Sequence, residues 1–224
     1  PDYRRLGLIR RLCPGVPMLA LSATAAPRVR ADIIRLLALR SPLVQVSSAR
    51  RDNLHYAMQR RPRDPMPQVL EALTLSQGAS LIYARTRRSV ERWAERLQEQ
   101  NVDATPYHAG LDPETRQLAL TRFLEQKRSV LVATVAFGMG VDRGDVRLVL
   151  HLDLPATPEG YLQESGRAGR DGLPAHCLVL FSPGDRTSLG WAMQASARKK
   201  GSNDEQRRLD LAQQQLRRME AVAE

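Results

Sequence analysis

Residues 129–150 read SVLVATVAFGMGVDRGDVRLVL and decide the fold class. Ser129–Ala133 and Val146–Leu150 are short, continuous apolar runs. Similar runs occur at Ser80–Tyr83 and Ala175–Phe181, with helical patterns between them. Strands that are apolar on both faces and alternate with helices are typical of a parallel sheet covered on both sides. The sequence therefore predicts an α/β fold.

Composition divides the chain into four predicted parts. Residues 1–49 mix helical and apolar patterns, and residues 50–67 are rich in proline and arginine, which indicates a linker. Residues 68–197 carry the regular alternation of strands and helices. Residues 198–224 begin as a flexible connection and continue as a charged, glutamine-rich helix over Asp204–Ala223. The chain opens at Pro1 without a methionine, so we expect a piece of a longer protein.

Four elements are predicted within residues 1–49. Tyr3–Leu12 and Ala31–Leu39 have helical patterns, and Pro17–Leu21 and Leu43–Val46 have the apolar composition of short buried strands.

The net charge of +10 comes from 34 basic and 24 acidic residues. Residues 1–63 hold 13 of the basic and 3 of the acidic residues, so this part carries the whole excess, and the rest of the chain is neutral. A basic chain indicates a nucleic-acid partner. The alternative is a coding bias toward arginine on a solvated surface, and only position within a motif separates the two.

Cysteine usage and hydropathy exclude several classes of protein. Cys13 and Cys177 lie far apart, which excludes a cysteine-ligated zinc site and a disulfide-rich secreted fold within this stretch. No apolar run reaches the roughly 18–20 residues that a membrane span needs. We therefore expect a protein of the reducing cytoplasm, associated with the nucleoid if the source is bacterial.

The segment Tyr161–Gly172 reads YLQESGRAGRDG and carries two arginines three residues apart, Arg167 and Arg170. At a helix end this spacing puts both guanidinium groups on one side. Glycines beside them allow a phosphate or a backbone to approach closely. Arginine stabilises a phosphoryl group in transfer, because its planar fork donates two bonds and stays charged. The alternative is a surface turn with solvated arginines.

Three other motifs follow predicted strands. Thr134 ends an apolar strand and could bond a phosphate oxygen, and Asp142 after the glycine turn could accept from a ribose hydroxyl. Ser22 and Thr24 are small hydroxyl residues after a strand, for which a simple turn or helix cap is the alternative. His108 follows a strand too, and such a histidine is more often packed or solvated than functional.

In this order, the motifs resemble the RecQ family of superfamily-2 DNA helicases. The matching strings are Leu21–Ala25, Ser80–Arg87, Tyr107–Leu111, Ala133–Asp142 and Gln163–Gly172. The resemblance covers about residues 1–195. It implies two RecA-like lobes, related to P-loop NTPases, with ATP between them and single-stranded DNA across their top.

The resemblance also implies a role for each part and each site residue. Residues 1–49 would be the end of the first lobe, 50–67 the interlobe linker, 68–197 the second lobe, and 198–224 the start of a zinc-domain helix. Arg170 would be the arginine finger and Arg167 a second contact near the phosphates. The remaining residues divide into those at ATP or coupling it to lobe movement (Gly140, Asp142, Gln163, Ser22 and Thr24) and those at DNA (Thr134, Arg87 and His108).

The activity implied is ATP hydrolysis that drives 3′-to-5′ translocation and unwinding of DNA in repair and recombination. The phosphate-cradling G-x-x-x-x-G-K-[ST] loop and an acidic magnesium motif are absent from this sequence. The ligands of Mg²⁺ are therefore expected outside this chain, as are the zinc ligands.

The family usually has Arg-Pro-Asn in the linker, whereas Arg51-Asp52-Asn53 lacks the proline. Two alternatives are a lobe of a DEAD-box RNA helicase and a non-catalytic module that binds nucleic acid or a partner.

Overall fold

A computed structural model describes residues 6–22, 27–46, 51–135, 142–182 and 184–185. The chain divides into two compact units, Pro1–Arg50 and Arg51–Glu224. The helix predicted over Asp204–Ala223 lies outside the described residues.

The described residues of the first unit form two helices, α1 (Gly7–Leu12) and α2 (Pro27–Leu36). The strands predicted at 17–21 and 43–46 are not formed, and this corrects the sequence-based assignment. A strand needs a neighbour that completes its backbone hydrogen bonds, and the described residues of this unit supply none. The apolar side chains of both runs are accordingly exposed, with 84% of Leu21 accessible.

The second unit is built on one six-stranded parallel sheet with the order β1-β6-β5-β2-β4-β3. The strands are β1 (Leu54–Arg60), β2 (Ala79–Tyr83), β3 (Ala104–Tyr107), β4 (Val130–Ala133), β5 (Val146–His151) and β6 (Ala175–Phe181). All five residues of β2 and all four of β4 are buried, because both faces of the sheet are covered. The predicted α/β fold with a parallel sheet is confirmed.

In the part of the second unit that the structure describes, four helices accompany the sheet: α3 (Met66–Leu75), α4 (Arg87–Glu99), α5 (Pro113–Glu125) and α6 (Pro158–Ser165). Three of them begin at a residue whose side chain accepts from a backbone N–H of the first turn, namely Thr86, Asp112 and Thr157. Such caps satisfy N–H groups that have no partner inside a helix. The cap at Thr157 fixes the start of α6, which carries the arginine motif.

The core of the second unit has a layer on each face of the sheet. On one face, Val90 and Leu97 of α4 pack with Ile82 of β2. On the other face, Phe123 of α5 packs with Leu81 of the same strand. Alternate residues of one strand therefore serve opposite layers, as the pleat of a strand requires.

The segment assigned to a linker by sequence contains the edge strand β1, which corrects that assignment. The strand pairs in parallel with β6 from Leu54↔Ala175 to Arg60↔Phe181. Only Leu54 is buried among its seven residues. An edge strand with one covered residue lacks the apolar run that revealed the central strands, so composition alone indicated a linker.

Arg143 lies in the segment that precedes β5, and its side chain is buried against the end of α5. Its guanidinium donates to Asp145 Oδ1 at 2.5 Å, to the Gln126 carbonyl at 2.8 Å and to Ser129 Oγ at 3.0 Å. It also lies 5.2 Å from the centre of the Phe123 ring. A buried charge is tolerated only when it is paired and hydrogen-bonded to this extent. Arg143 thereby fixes the start of β5.

We expect Asp145→Asn to remove an acid-sensitive part of the stability. The hydrogen bond from Arg143 holds the pKa of the Asp145 carboxyl below its usual value. The unfolded chain therefore binds more protons in acid, and this contribution, present above about pH 4, is lost as the pH falls further. Because the Asp145 side chain is half exposed, we expect roughly 1 kcal/mol at pH 7.

The measurement is the free energy of unfolding by denaturant between pH 7 and pH 3. Asp103→Asn is the matched control, because Asp103 also pairs with an arginine, Arg122, but both side chains are about half exposed and no buried charge depends on the pair. Parallel pH profiles for the wild type and Asp145→Asn would contradict the prediction.

Candidate functional site

The carboxyl ends of the central strands are brought together by the register of β2. Tyr83, the last residue of β2, pairs with Ala133 of β4 on one side and with His151 of β5 on the other. The residues that follow β2, β4 and β5 therefore all begin at the same edge of the sheet, the one formed by the carboxyl ends of the strands. In parallel α/β sheets this edge is the usual place for binding and catalysis.

One group of predicted residues meets at this edge. A Cβ added to Gly110 would lie 2.9 Å from Nη1 of Arg87 and 3.1 Å from Nδ1 of His108, so both side chains lie over this glycine. The backbone N–H of Thr134 donates to the Tyr107 carbonyl at 3.3 Å, which places Thr134 beside the same turn. Arg87, His108, Gly110 and Thr134 are called the edge group below.

His108 shapes the turn of the edge group. Its side chain is buried, its Nδ1 accepts from the Gly110 N–H at 3.1 Å, and its Nε2 lies 3.0 Å from Glu91 Oε1. Because Nδ1 accepts, the proton is on Nε2, which donates to the carboxylate. Both nitrogens are therefore engaged within the protein, and Arg87 is the exposed cation of the group.

The second group lies on a loop that follows α6, residues 166–172, called the arginine loop. The N–H of Gly169 donates to the Val146 carbonyl at 2.8 Å, and the N–H of Asp171 donates to Gly144. Val146 is the first residue of β5, so the loop lies toward the amino end of that strand. Gly169 and Gly172 have φ of +52° and +83°, which L side chains rarely adopt.

Arg170 pairs with Asp142 across this loop. Its Nη1 lies 2.6 Å from Asp142 Oδ1, and the two side chains are 35% and 88% exposed. An ion pair that is this open to solvent stabilises the fold by little. It places the Arg170 guanidinium at the surface beside Asp142, where it can meet an anionic ligand.

Arg167 is buried, in contrast to Arg170, and points back to the edge of the sheet. Burial raises the pKa of the Tyr83 phenol, and the Arg167 guanidinium, which hydrogen bonds to it, opposes part of that rise. The phenol therefore stays neutral. This contact connects the arginine loop with the last residue of β2.

A histidine that the sequence motifs do not include anchors α6 to the sheet. Nε2 of the buried His151 lies 2.8 Å from Glu164 Oε2, and its ring stacks on Tyr83 with centroids 5.0 Å apart. Tyr161 meets the same ring edge-on. Since Nδ1 is buried and has no hydrogen-bond partner among the described residues, the neutral ring carries its proton on Nε2 and donates to Glu164.

The sequence of the chain is similar to those of known helicases. Residues 65–172 match the family described as the helicase conserved C-terminal domain, and this range includes both groups. The chain is 42% identical over 186 residues to the ATP-dependent DNA helicase RecQ of Pasteurella multocida, a match of 83% of this chain and 29% of that protein. It is 40% identical over 195 residues to the RecQ-like DNA helicase BLM of Xenopus laevis, a match of 84% and 14%.

The chain belongs to the RecQ family. It spans less than a third of the length of these two relatives.

Solved structures confirm the RecA-like fold. Dbp5 of Saccharomyces cerevisiae, bound to Gle1 and IP6, matches with a TM-score of 0.61 and 21% identity over 95% of this chain and 58% of that one. A DEAD box protein from Methanococcus jannaschii matches with a TM-score of 0.53 and 23% identity over 64% and 40%. At this identity the likeness shows the fold alone, so the RecQ family fits better than the DEAD-box alternative.

The structure places the other predicted RecQ site residues as follows. Gln163 lies exposed on α6, and Ser22 lies exposed in the first unit. Gly140 and Thr24 fall outside the described residues. Gln163 therefore lies in neither group. The residues predicted for DNA and described in the second unit lie in the edge group, and the other residues predicted for ATP lie on the arginine loop or, like Asp142, pair with it.

Sequence reasoning missed the residues that hold the arginine loop in this RecQ chain. They are His151, Tyr83, and the linker residues Arg51 and Asn53, whose side chains donate to carbonyls of the loop. Arg51 and Asn53 belong to the Arg-x-Asn string of the linker, which was a signal. His151 follows an apolar strand and carries no spacing that would distinguish it from a packed histidine.

The described residues hold neither a metal-binding cluster nor a membrane-spanning helix. No group of three or more His, Cys, Asp or Glu side chains there could hold a metal ion. Among the same residues, no helix combines the length and the apolar character that crossing a membrane requires.

We expect Gly169→Ala to destabilise the chain more than Gly172→Ala. Both glycines have a positive φ, but a Cβ at Gly169 would lie 2.6 Å from Asn53 Nδ2 and 2.7 Å from the Leu173 carbonyl, whereas a Cβ at Gly172 meets nothing within 4 Å. Gly172→Ala should therefore cost about 1 kcal/mol from backbone strain alone. Gly169→Ala should cost roughly 2–4 kcal/mol, because the loop must also move.

Chemical unfolding of the two variants beside the wild type measures this difference. Gly172→Ala serves as the matched control for the positive φ. Equal losses of unfolding free energy would show that the close approach of Asn53 does not constrain the loop.

Proposed function

We propose that this chain supplies the arginine-bearing lobe of an ATP-dependent DNA helicase that unwinds DNA with 3′-to-5′ polarity in repair and recombination. The observation that carries the proposal is the partly exposed Arg170, oriented by Asp142 on a loop bonded to β5. The protein would act in the cytoplasm, at DNA, with Mg²⁺ held by residues that this chain does not carry.

The arrangement suits Arg170 to phosphoryl transfer. Charge on the transferring phosphoryl group is stabilised by a cation that is already in place when the reaction begins. The backbone bonds of Gly169 and Asp171 fix the loop on both sides of Arg170. The pair with Asp142 keeps the guanidinium oriented until an anionic substrate replaces that carboxylate.

The edge group supports the DNA-binding part of the proposal. Arg87 is exposed over a glycine turn that a buried histidine shapes, and Thr134 lies next to that turn. Thr134 itself is buried, so the exposed arginine carries this support: a contact from an arginine side chain to a phosphate positions a strand without reading its sequence. A helicase needs this kind of contact, because it must move along any sequence.

The choice of DNA over RNA follows the relatives. The two RecQ-family relatives at 40% and 42% identity are DNA helicases by their names, whereas the DEAD-box structures match in fold alone. A non-catalytic docking module would have no use for an arginine held by a carboxylate at its surface. Both observations favour the helicase.

We expect Arg170→Ala in the full-length protein to lower the kcat of DNA-stimulated ATP hydrolysis by about 10³-fold or more, with little change in DNA affinity. The loss follows because only the transition state develops the charge that Arg170 would stabilise. ATP turnover at saturating DNA and fluorescence anisotropy with labelled single strands measure the two quantities.

Arg128→Ala is the control for the loss of one positive charge. Arg128 is exposed and donates to Gln77, away from both groups. Near-normal turnover by Arg170→Ala would refute the assignment of this residue.

We also expect the 224-residue chain alone not to hydrolyse ATP, because its sequence has no phosphate-cradling G-x-x-x-x-G-K-[ST] loop. The measurement is phosphate release by the purified chain with and without single-stranded DNA. Turnover that rises with DNA would contradict this expectation.

A further inference from the structure

Arg51 is the first residue of the second unit, and its side chain binds the backbone of the arginine loop. Its Nη1 donates to the carbonyls of Gly166 at 3.3 Å and Ala168 at 3.1 Å, and its Nη2 donates to the carbonyl of Gly169. The residues joined by these bonds lie more than 110 positions apart in the sequence. The proposed function gives no role to the Arg-x-Asn string that contains Arg51.

Asn53, two residues after Arg51 in the sequence, also binds the arginine loop. Its Nδ2 donates to the carbonyls of Gly169 at 2.8 Å and Leu173 at 2.9 Å. Its own carbonyl accepts from the N–H of Ala175, at the start of β6. Arg51 and Asn53 together therefore bind four carbonyls between residues 166 and 173.

These carbonyls lie next to the two arginines of the loop. Gly166 and Ala168 flank Arg167, and Gly169 precedes Arg170. Fixing their carbonyls fixes the peptide planes on which both arginines are carried. A misplacement of about 1 Å in a catalytic group can lower a rate by about 100-fold.

The loop needs an external donor because of its own composition. It contains three glycines, two of them at positive φ, so its backbone has more freedom than other loops. It also follows the carboxyl end of α6, where carbonyls lack partners and the helix dipole is negative. A guanidinium can satisfy several such carbonyls at once, because its donors form a rigid planar fork.

We propose that Arg51 is a positioning residue for the two arginines of the loop, and that Asn53 assists it. The proposal rests on the proposed function, since the arginines it positions act on ATP. Arg51 is also the first residue of the second unit, immediately after the division at Arg50. The residue that orients the arginines is therefore also the point at which the chain enters from the first unit.

Arg51→Lys in the full-length protein tests the proposal. Lysine keeps the charge but lacks the fork, so it cannot bind three carbonyls in this geometry. We expect kcat for DNA-stimulated ATP hydrolysis to fall by about tenfold to 100-fold. The KM for ATP, the affinity for ADP and the midpoint of thermal unfolding should change little.

Binding of ADP with aluminium fluoride gives a readout that a merely structural role would not change. This complex mimics the transition state, so Arg51→Lys should weaken it by the same factor as kcat, while binding of ADP alone stays as in the wild type. Arg60→Lys is the matched control, because Arg60 is an exposed arginine on β1 whose side chain makes no hydrogen bond to the loop within the described part of the chain.

Asn53→Ala is the second variant, should Arg51→Lys unfold at the assay temperature. It removes two of the bonds to the loop and should give the same selective loss of kcat at smaller size. Wild-type kcat in a folded Arg51→Lys or Asn53→Ala, alongside an inactive Arg170→Ala, would overturn the positioning role and leave the proposed function intact. Activity in Arg170→Ala would overturn the proposed function itself.

Discussion

The register of β2 between β4 and β5 is the constraint on which the rest of the second unit depends. Tyr83 pairs with Ala133 and His151, so the ends of three buried strands are level. A slip of one residue would exchange the two faces of β2 and send Leu81 and Ile82 into the wrong core layers. The same register sets where the edge group can form, and it presents the Tyr83 phenol to Arg167. Packing and site geometry are therefore fixed together.

Polar contacts, more than apolar packing, set the position of α6. The helix has eight residues, which is too short to be stable without tertiary support. Thr157 caps its start, and Glu164 near its end accepts from the buried His151. Because a buried donor and a carboxylate are costly to leave unpaired, this pair specifies one orientation of the helix where apolar contacts would accept several. Because the arginine loop follows α6 directly, the orientation of this helix also sets where the loop begins.

The central strands could be predicted from sequence, because burial on both faces leaves continuous apolar runs such as Val130–Ala133. The edge strand β1 could not, since exposure of one side makes its sequence resemble a linker. In the first unit, apolar runs near Leu21 predicted strands that need pairing partners beyond the described residues of that unit. Arg170 was predictable from its motif. The Arg-x-Asn string drew attention to Arg51, but no pattern in the sequence shows that its side chain binds a backbone carbonyl more than 110 residues away, that of Ala168.

The linker string Arg51-Asp52-Asn53 shows which of its three residues the loop requires. A proline at the middle position would stiffen the chain through its fixed φ. Here that position is Asp52, which is exposed, while Arg51 and Asn53 on either side bind the loop. Gly169 has no Cβ, and the Asn53 amide occupies the space that a Cβ would fill. The outer residues of the string, rather than Asp52, therefore make the contact with the loop. The glycine that lets the loop turn and the linker that holds the turn are thus complementary parts of one contact, and stiffness at the middle position is not needed to form it.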